Sequence, residues 1–169
     1  MSLAVLSYLL PSLILIAGLV DDLRSKKVHN WLTLSAAVIA IGSAGLFNGM
    51  AGLQTALLSL TVAIGLTIPL FLARMIGGGD VKLIFAFALA TDATAVLWVL
   101  MYAFIWGALL GLIRVTLQKD LIQLLKNTAK IATFDKSRKQ LSLHKIPFTV
   151  ALVFGWLTHL AVGPFGGSL

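Results

Sequence analysis

Long apolar runs separated by short polar connections dominate this sequence. Their residue ranges are 2–20, 31–47, 53–73, 81–90, 95–113 and 146–162. Five of these runs approach the about 20 residues that a helix needs to cross the hydrocarbon core of a bilayer. Because 59% of the 169 residues are hydrophobic and only 11% are charged, a soluble core could not bury so much apolar surface. The pattern predicts an all-α integral membrane protein with six transmembrane helices, built as a single domain over residues 1–169.

The fourth run is too short to follow the same rule. Even when counted from Ile76 it falls short of the about 20 residues of a full span, and Gly77, Gly78 and Gly79 stand near its start. We predict a short fourth helix preceded by a glycine-rich, non-helical stretch. Backbone of that kind is tolerated at membrane depth only where protein or a water-filled cavity surrounds it.

Positive charge is confined to alternate connections. All thirteen Lys and Arg residues lie in or beside the first, third and fifth connections, and the other connections and both ends have none. Because cytoplasmic loops collect Lys and Arg, we expect these three connections in the cytoplasm and both termini outside. The net charge of +7 is thereby explained as a topology signal, and no nucleic-acid partner is predicted.

The fifth connection holds the one sizeable polar region of the chain. Apolar residues recur there at helical spacing, while Lys119, Lys126 and Lys130 share the opposite face. We predict a cytoplasmic amphipathic helix and loop over residues 115–143, with the basic face toward anionic lipid headgroups. A solvated connector helix that packs its apolar face on the protein itself fits the pattern equally well.

The composition also limits the chemistry. The chain has no cysteine, which excludes disulfides, thiol catalysis and thiolate metal ligands. Its three histidines lack the spacing of a metal site, and only His29 together with Asp22 and Asp80 offers a conceivable one. We therefore predict neither a metal nor another cofactor.

Two acidic residues stand out by position. All six acidic residues are Asp, and ionisable groups beside the hydrocarbon are costly enough to need a reason. Asp22 closes the first apolar run, and Asp80 follows the three glycines before the fourth. The expected topology puts both on the cytoplasmic side, where the fold could bring them together. Each also has a simpler interpretation, Asp22 as a loop charge or helix cap and Asp80 as a helix N-cap.

A pair of facing carboxylates is suited to peptide hydrolysis. Like charges held close share one proton, so the ionised member takes a proton from water while the protonated member polarises a carbonyl. The glycines would assist by allowing positive φ and close approach of a substrate backbone. Lys82, if near, would orient polar groups at the site, and otherwise it extends to the membrane interface.

Two motifs carry a resemblance to a known family. Asp22-x-Arg24-x-x-x-Val28-x-Asn30 at the end of the first run and Gly77-x-Gly79-Asp80-x-Lys82 before the fourth resemble the motifs of type IV prepilin peptidases, membrane aspartic proteases of the GxGD type. The segment 146–151 is similar to the Pro-aromatic-x-x-Ala start of that family's last helix. The resemblance implies that Asp22 and Asp80 are the catalytic pair. Residues implied to support the site or bind substrate are Arg24, Asn30, Gly77, Gly79 and Lys82.

The resemblance also implies a substrate and a location. Such enzymes cut the short basic leader from prepilins, beside the substrate's hydrophobic N-terminal helix, at the cytoplasmic face of the bacterial inner membrane. The chain is similar to the short, peptidase-only form found with Flp or tight-adherence pilus systems. It lacks the cysteines of the larger members' zinc-binding domain, so methyltransferase activity is not predicted. His29 stands where the family usually has Pro.

Other interpretations stay open at this point. The supporting residues have simple ones, since Arg24 marks the cytoplasmic side and Asn30 suits the N-cap of the second helix. The whole chain could be a non-catalytic pilus-assembly or transport protein in which Asp22 and Asp80 form a proton or ion relay. A relay needs acids at several depths, and the interiors of the second, third, fifth and sixth runs have none, which favours the protease. A protease for other membrane substrates would keep the same pair.

Overall fold

The computed structural model describes residues 3–117 and 148–166. Its helices are α1 (Leu3–Ser25), α2 (Asn30–Leu72), α3 (Gly78–Leu89), α4 (Ala93–Leu117) and α5 (Phe148–Gly166). No strand occurs within these two ranges, which confirms the all-α class. The amphipathic helix and loop predicted over 115–143 fall outside the described residues from 118 onward, and residues 115–117 complete α4.

Helix α2 is a hairpin of two helical stretches. Gly49 has φ +60° and ψ −143°, a conformation that glycine adopts without strain. A Cβ built on Gly52 would lie 2.4 Å from the carbonyl oxygen of Ala44, although residues eight positions apart in a continuous helix are separated by about 12 Å. The chain therefore reverses at Gly49, and the stretches 30–48 and 50–72 correspond to the second and third apolar runs.

Two of the helices that the structure describes meet the length and composition of a membrane span. They are Asn30–Leu72 and the part of α4 from Ala93 to Ile113. Large apolar side chains are exposed along α1, α2, α4 and α5, as expected of surfaces that face lipid. Crossing by all six helical stretches, with both termini outside, stays a prediction.

Helix α3 is the centre of the molecule. It has 12 residues, and the buried ones are Val81, Leu83, Ile84, Ala86, Phe87, Ala88 and Leu89. A helix that is apolar on all sides is stable only when neighbours surround it. Phe87 makes an edge-to-face contact with Trp156 of α5, with ring centroids 5.3 Å apart. The fourth run is thus a short helix, as predicted. The non-helical stretch before it covers residues 73–77, however, so only Gly77 of the three glycines belongs to it.

Small residues bring α4 and α5 into close backbone contact. A Cβ on Gly155 would lie 2.6 Å from the carbonyl oxygen of Val99, and one on Gly107 would lie 3.6 Å from the Cβ of Ala151. Since the later residue of α4 meets the earlier residue of α5, the two helices are antiparallel. Close approach at small residues is a typical way for helices to associate in membranes.

The antiparallel packing of neighbouring helices brings the charged connections to one end. Ser12 pairs with Trp156, whereas Asp22, later in α1, pairs with Thr149, earlier in α5. One end therefore contains the carboxyl ends of α1 and α4 and the amino ends of α3 and α5. We call it the basic end, after its exposed side chains Arg24, Lys26, Lys27, Arg74 and Lys82.

Candidate active site

Asp22 and Asp80 lie at the basic end of two adjacent helices. Asp22 is in the last turn of α1 and Asp80 in the first turn of α3, and both are half-buried. Between the helices, a Cβ on Gly18 would lie 2.5 Å from Cδ1 of Leu83, so α1 and α3 touch at this level. Asp22 follows Gly18 by about one turn and Asp80 precedes Leu83 by about one turn. The packing thus brings both carboxylates to the same level of neighbouring helices.

The two sequence motifs are in contact. Val28, buried in the connection after α1, lies against Gly79, whose Cβ would be 3.4 Å from the backbone nitrogen of Val28. One turn along α3, Nζ of Lys82 donates a hydrogen bond of 2.8 Å to Oδ1 of Asn30. Residues from the first motif therefore contact residues from the second. The spacing within each motif places these residues at the same interface.

Asp80 shapes the start of its own helix. The backbone N–H of Gly77 donates to Oδ2 of Asp80 at 3.1 Å, so the carboxylate closes the first turn from the third helical position. The N-cap residue is Gly77, with φ −82° and ψ 152°. The interpretation of Asp80 as the N-cap is therefore wrong, although it does stabilise this helix end.

The role expected of the motif glycines needs a correction. Gly77 has an ordinary negative φ, Gly78 and Gly79 lie within α3, and Gly49 is the glycine with positive φ among the described residues. The positive φ predicted for the motif glycines is wrong. Space is what they provide, because a Cβ on Gly77 would lie 3.0 Å from Oδ2 of Asp80.

The remaining predicted residues lie at the same end. His29, with extended φ and ψ, occupies the N-cap of α2, so the simple interpretation of Asn30 as that cap is wrong and its side chain instead accepts from Lys82. Arg24 is exposed in the last turn of α1.

A contact between Asp21 and His29 was not predicted from the sequence. The backbone N–H of His29 donates to Oδ2 of Asp21 at 2.7 Å, and Nδ1 of His29 lies 2.8 Å from Oδ1. The hydrogen bond from that N–H is the main cause of a lowered pKa of Asp21, which lies beyond the apolar run. The pairing depends on the turn at Lys26, which has φ +54°. No residue pattern in the sequence predicts this turn. His29 itself has φ −72° and ψ 141°, a conformation that the family's usual Pro also adopts.

Thr149 is the second unpredicted neighbour of the site. Its hydroxyl donates to Oδ2 of Asp22 at 2.6 Å, and Thr149 is completely buried. The available signal was weak: Thr149 is the first polar residue of the last apolar run, on the same expected side of the membrane as Asp22.

A separate cavity lies at the opposite end of the molecule. Its volume is about 560 Å³, and its lining includes Asn48, Asp92 and His159 but none of the predicted site residues. Asp92 accepts a hydrogen bond from the backbone N–H of Ala95 and so caps α4. Among residues 3–117 and 148–166, no group of three or more His, Asp or Glu side chains is arranged to hold a metal ion.

Comparison with known proteins gives one match. The model of the type IV leader peptidase family matches residues 9–112, which include Asp22 and Asp80 and exclude α5. The comparisons with curated proteins and with solved structures found no match.

Proposed function

The chain belongs to the type IV leader peptidase family, and from this premise we propose that it is a membrane aspartic endopeptidase that removes the basic leader of prepilins. Family membership indicates a protease, and the apolar helices support a membrane protein. The observation that carries the finer proposal is the contact between the two motifs, Val28 on Gly79 and Asn30 with Lys82. It places Asp22 and Asp80 at one end of adjacent helices, as a two-carboxylate mechanism requires.

The proposed reaction uses the pair as general base and general acid. The ionised carboxylate removes a proton from water, and the resulting hydroxide equivalent attacks the carbonyl carbon of the scissile bond. The protonated carboxylate donates its proton toward the carbonyl oxygen. When the tetrahedral intermediate collapses, the amine leaves with the proton that the base accepted, and one hydroxyl of the intermediate returns its proton to the carboxylate that acted as acid. Neither a nucleophilic side chain nor a metal enters these steps.

The location of the basic end supports a cytoplasmic active site. Positively charged connections face the cytoplasm, so we place Arg24, Lys26, Lys27 and the two carboxylates there. Six crossing stretches then put both termini outside. In the bacterial inner membrane, the basic end would meet anionic headgroups, and a prepilin would present its leader beside its hydrophobic helix at this level.

The test is co-expression with a candidate Flp-type prepilin, following leader removal by gel shift. Asp22→Asn and Asp80→Asn should each lower processing by about 100-fold or more, because general acid–base groups contribute about 10²–10⁴. Asn keeps an oxygen that still accepts the Gly77 N–H at position 80.

Asp21→Asn and Asp92→Asn are matched controls. Asp21 precedes Asp22 but pairs with His29, and Asp92 caps α4 at the other end. Both variants should process the prepilin. Full processing by Asp22→Asn or Asp80→Asn, at unchanged membrane levels, rules out the shared-proton mechanism.

The relay alternative gains no support from the fold. Asp21, Asp22 and Asp80 lie at the basic end and Asp92 at the other, so the acids among the described residues form no series across the helices.

A further inference from the structure

We propose that Thr149 is a positioning residue that orients the carboxylate of Asp22; this rests on the proposed peptidase function. The two residues are 127 positions apart, and the family match ends before α5 begins. Neither the matched segment nor the sequence motifs assign Thr149 a role.

The hydroxyl of Thr149 donates outside its own helix. Other helical threonines of this chain donate to the carbonyl four residues earlier in their own helix, namely Thr55, Thr61, Thr67 and Thr158. Thr149, near the start of α5, donates to Asp22 of α1 instead.

The start of α5 is fixed by packing on α4. The rings of Phe148 and Phe104 have centroids 5.6 Å apart, and Ala151 meets Gly107. Residues on both sides of Thr149 are therefore seated against a neighbouring helix. A hydroxyl held in this way fixes the direction of the carboxylate that accepts from it.

The hydrogen bond from Thr149 to Asp22 is short. Its length of 2.6 Å lies within the about 2.5–2.7 Å that is usual for a hydroxyl donating to a carboxylate. Among the described residues, Oδ2 is the oxygen of Asp22 that accepts a side-chain hydrogen bond, which leaves Oδ1 for the water that is to be deprotonated.

Other ionisable groups of the described residues lie at this end. They are Asp21, Arg24, Lys26, Lys27, His29, Arg74, Asp80 and Lys82. In the described part of α5 the ionisable residue is His159, near the opposite cavity. None of these groups changes when the Thr149 hydroxyl is removed, so the variants below differ from the native protein in that hydroxyl.

The experiment measures kcat, KM and the pH dependence of kcat for the purified full-length enzyme with a prepilin in detergent. Thr149→Val should lower kcat by about 10- to 100-fold with little change in KM, because hydrogen bonds to charged groups have effects of this size. Thr149→Ser should stay within about 3-fold of the native kcat because it keeps the hydroxyl.

Thr67→Val is the control, since Thr67 is also completely buried but donates within its own helix. It should leave kcat and the pH profile unchanged. A native kcat in Thr149→Val overturns the proposal, as does an equal loss in Thr149→Ser and Thr149→Val. If Thr149→Val fails to accumulate, Thr149→Ser decides, and a well-folded Ser variant without activity also overturns it. Failure of the native enzyme to cleave, or cleavage by Asp22→Asn, instead contradicts the proposed function.

Discussion

At the residue scale, the side chains around the two carboxylates determine how much space each carboxylate has. Gly77 has a backbone conformation open to any residue, but a Cβ there would lie 3.0 Å from Oδ2 of Asp80, the oxygen that accepts its N–H. Lys82 and Asn30 bridge the motifs by one hydrogen bond. In the proposed mechanism, a small steric change at such a site would displace a reacting group without unfolding the protein.

Gly77→Ala tests this at the residue scale. Its methyl group would lie 3.0 Å from Oδ2 of Asp80, so the carboxylate has to shift by a few tenths of an ångström. We expect kcat to fall by about 10-fold, since catalytic groups are sensitive to displacements of this order. The melting temperature should change little, and both quantities are measured on the purified enzyme.

Gly78→Ala is the matched control for this change. A Cβ there would meet only the ring of Phe71, at 3.5 Å, which is ordinary contact. Ala is favoured over Gly within a helix by about 1 kcal/mol, so stability should be kept or increased. Equal losses of kcat in both variants would show that the contact with Asp80 is not the cause.

At the scale of elements, the contact between α1 and α3 sets the level of the two carboxylates. Gly18 on α1 admits the side chain of Leu83, which is completely buried. The hairpin of α2, helix α4 and helix α5 also contact α3. A spacer introduced between α1 and α3 should therefore separate Asp22 from Asp80.

Gly18→Ala introduces that spacer. Its methyl group would lie 2.5 Å from Cδ1 of Leu83, and overpacking of this kind destabilises by about 1–3 kcal/mol. We expect a lower melting temperature and reduced processing. Adding Leu83→Ala removes the clashing methyl groups, so the double variant should recover processing relative to Gly18→Ala alone.

Gly65→Ala controls for the loss of a helical glycine, because a Cβ there meets no atom within 4 Å. It should retain native processing and stability. Native behaviour of Gly18→Ala would mean that α1 and α3 are not held together at this position.

At the scale of the whole molecule, the distribution of charge predicts an orientation. The exposed basic side chains of the described residues share one end, while the reversal at Gly49 and the Asp92 cap lie at the other. Because cytoplasmic connections collect Lys and Arg, we expect the basic end in the cytoplasm.

Single cysteines test the orientation directly, because the native chain has none. Lys27 and Met50 are both exposed, at opposite ends of the molecule. In intact cells, a membrane-impermeant maleimide should label Met50→Cys, and should label Lys27→Cys only after permeabilisation. The inverse labelling pattern would contradict a cytoplasmic active site.

Much of the fold and part of the site could be predicted from the sequence. Periodicity and length identified six apolar stretches, each of which is helical where the structure describes it, and the family motifs singled out Asp22 and Asp80. The predictions of a positive φ at the motif glycines and of an N-cap at Asn30 were wrong. The same residue type can set a backbone conformation in one protein and allow a close contact in another, and the sequence pattern does not distinguish the two.

The helical class, the family and the clustering of basic residues follow from the linear order of residues, since these depend on hydrophobic spacing and local motifs. The contacts between groups depend on the packed fold: Val28 with Gly79, His29 with Asp21, and Thr149 with Asp22. Such contacts join distant parts of the chain through helix packing and turn geometry. The sequence does not give the distances between these residues. Their contacts could be identified only from the packing of α1, α3 and α5 at one end of the molecule.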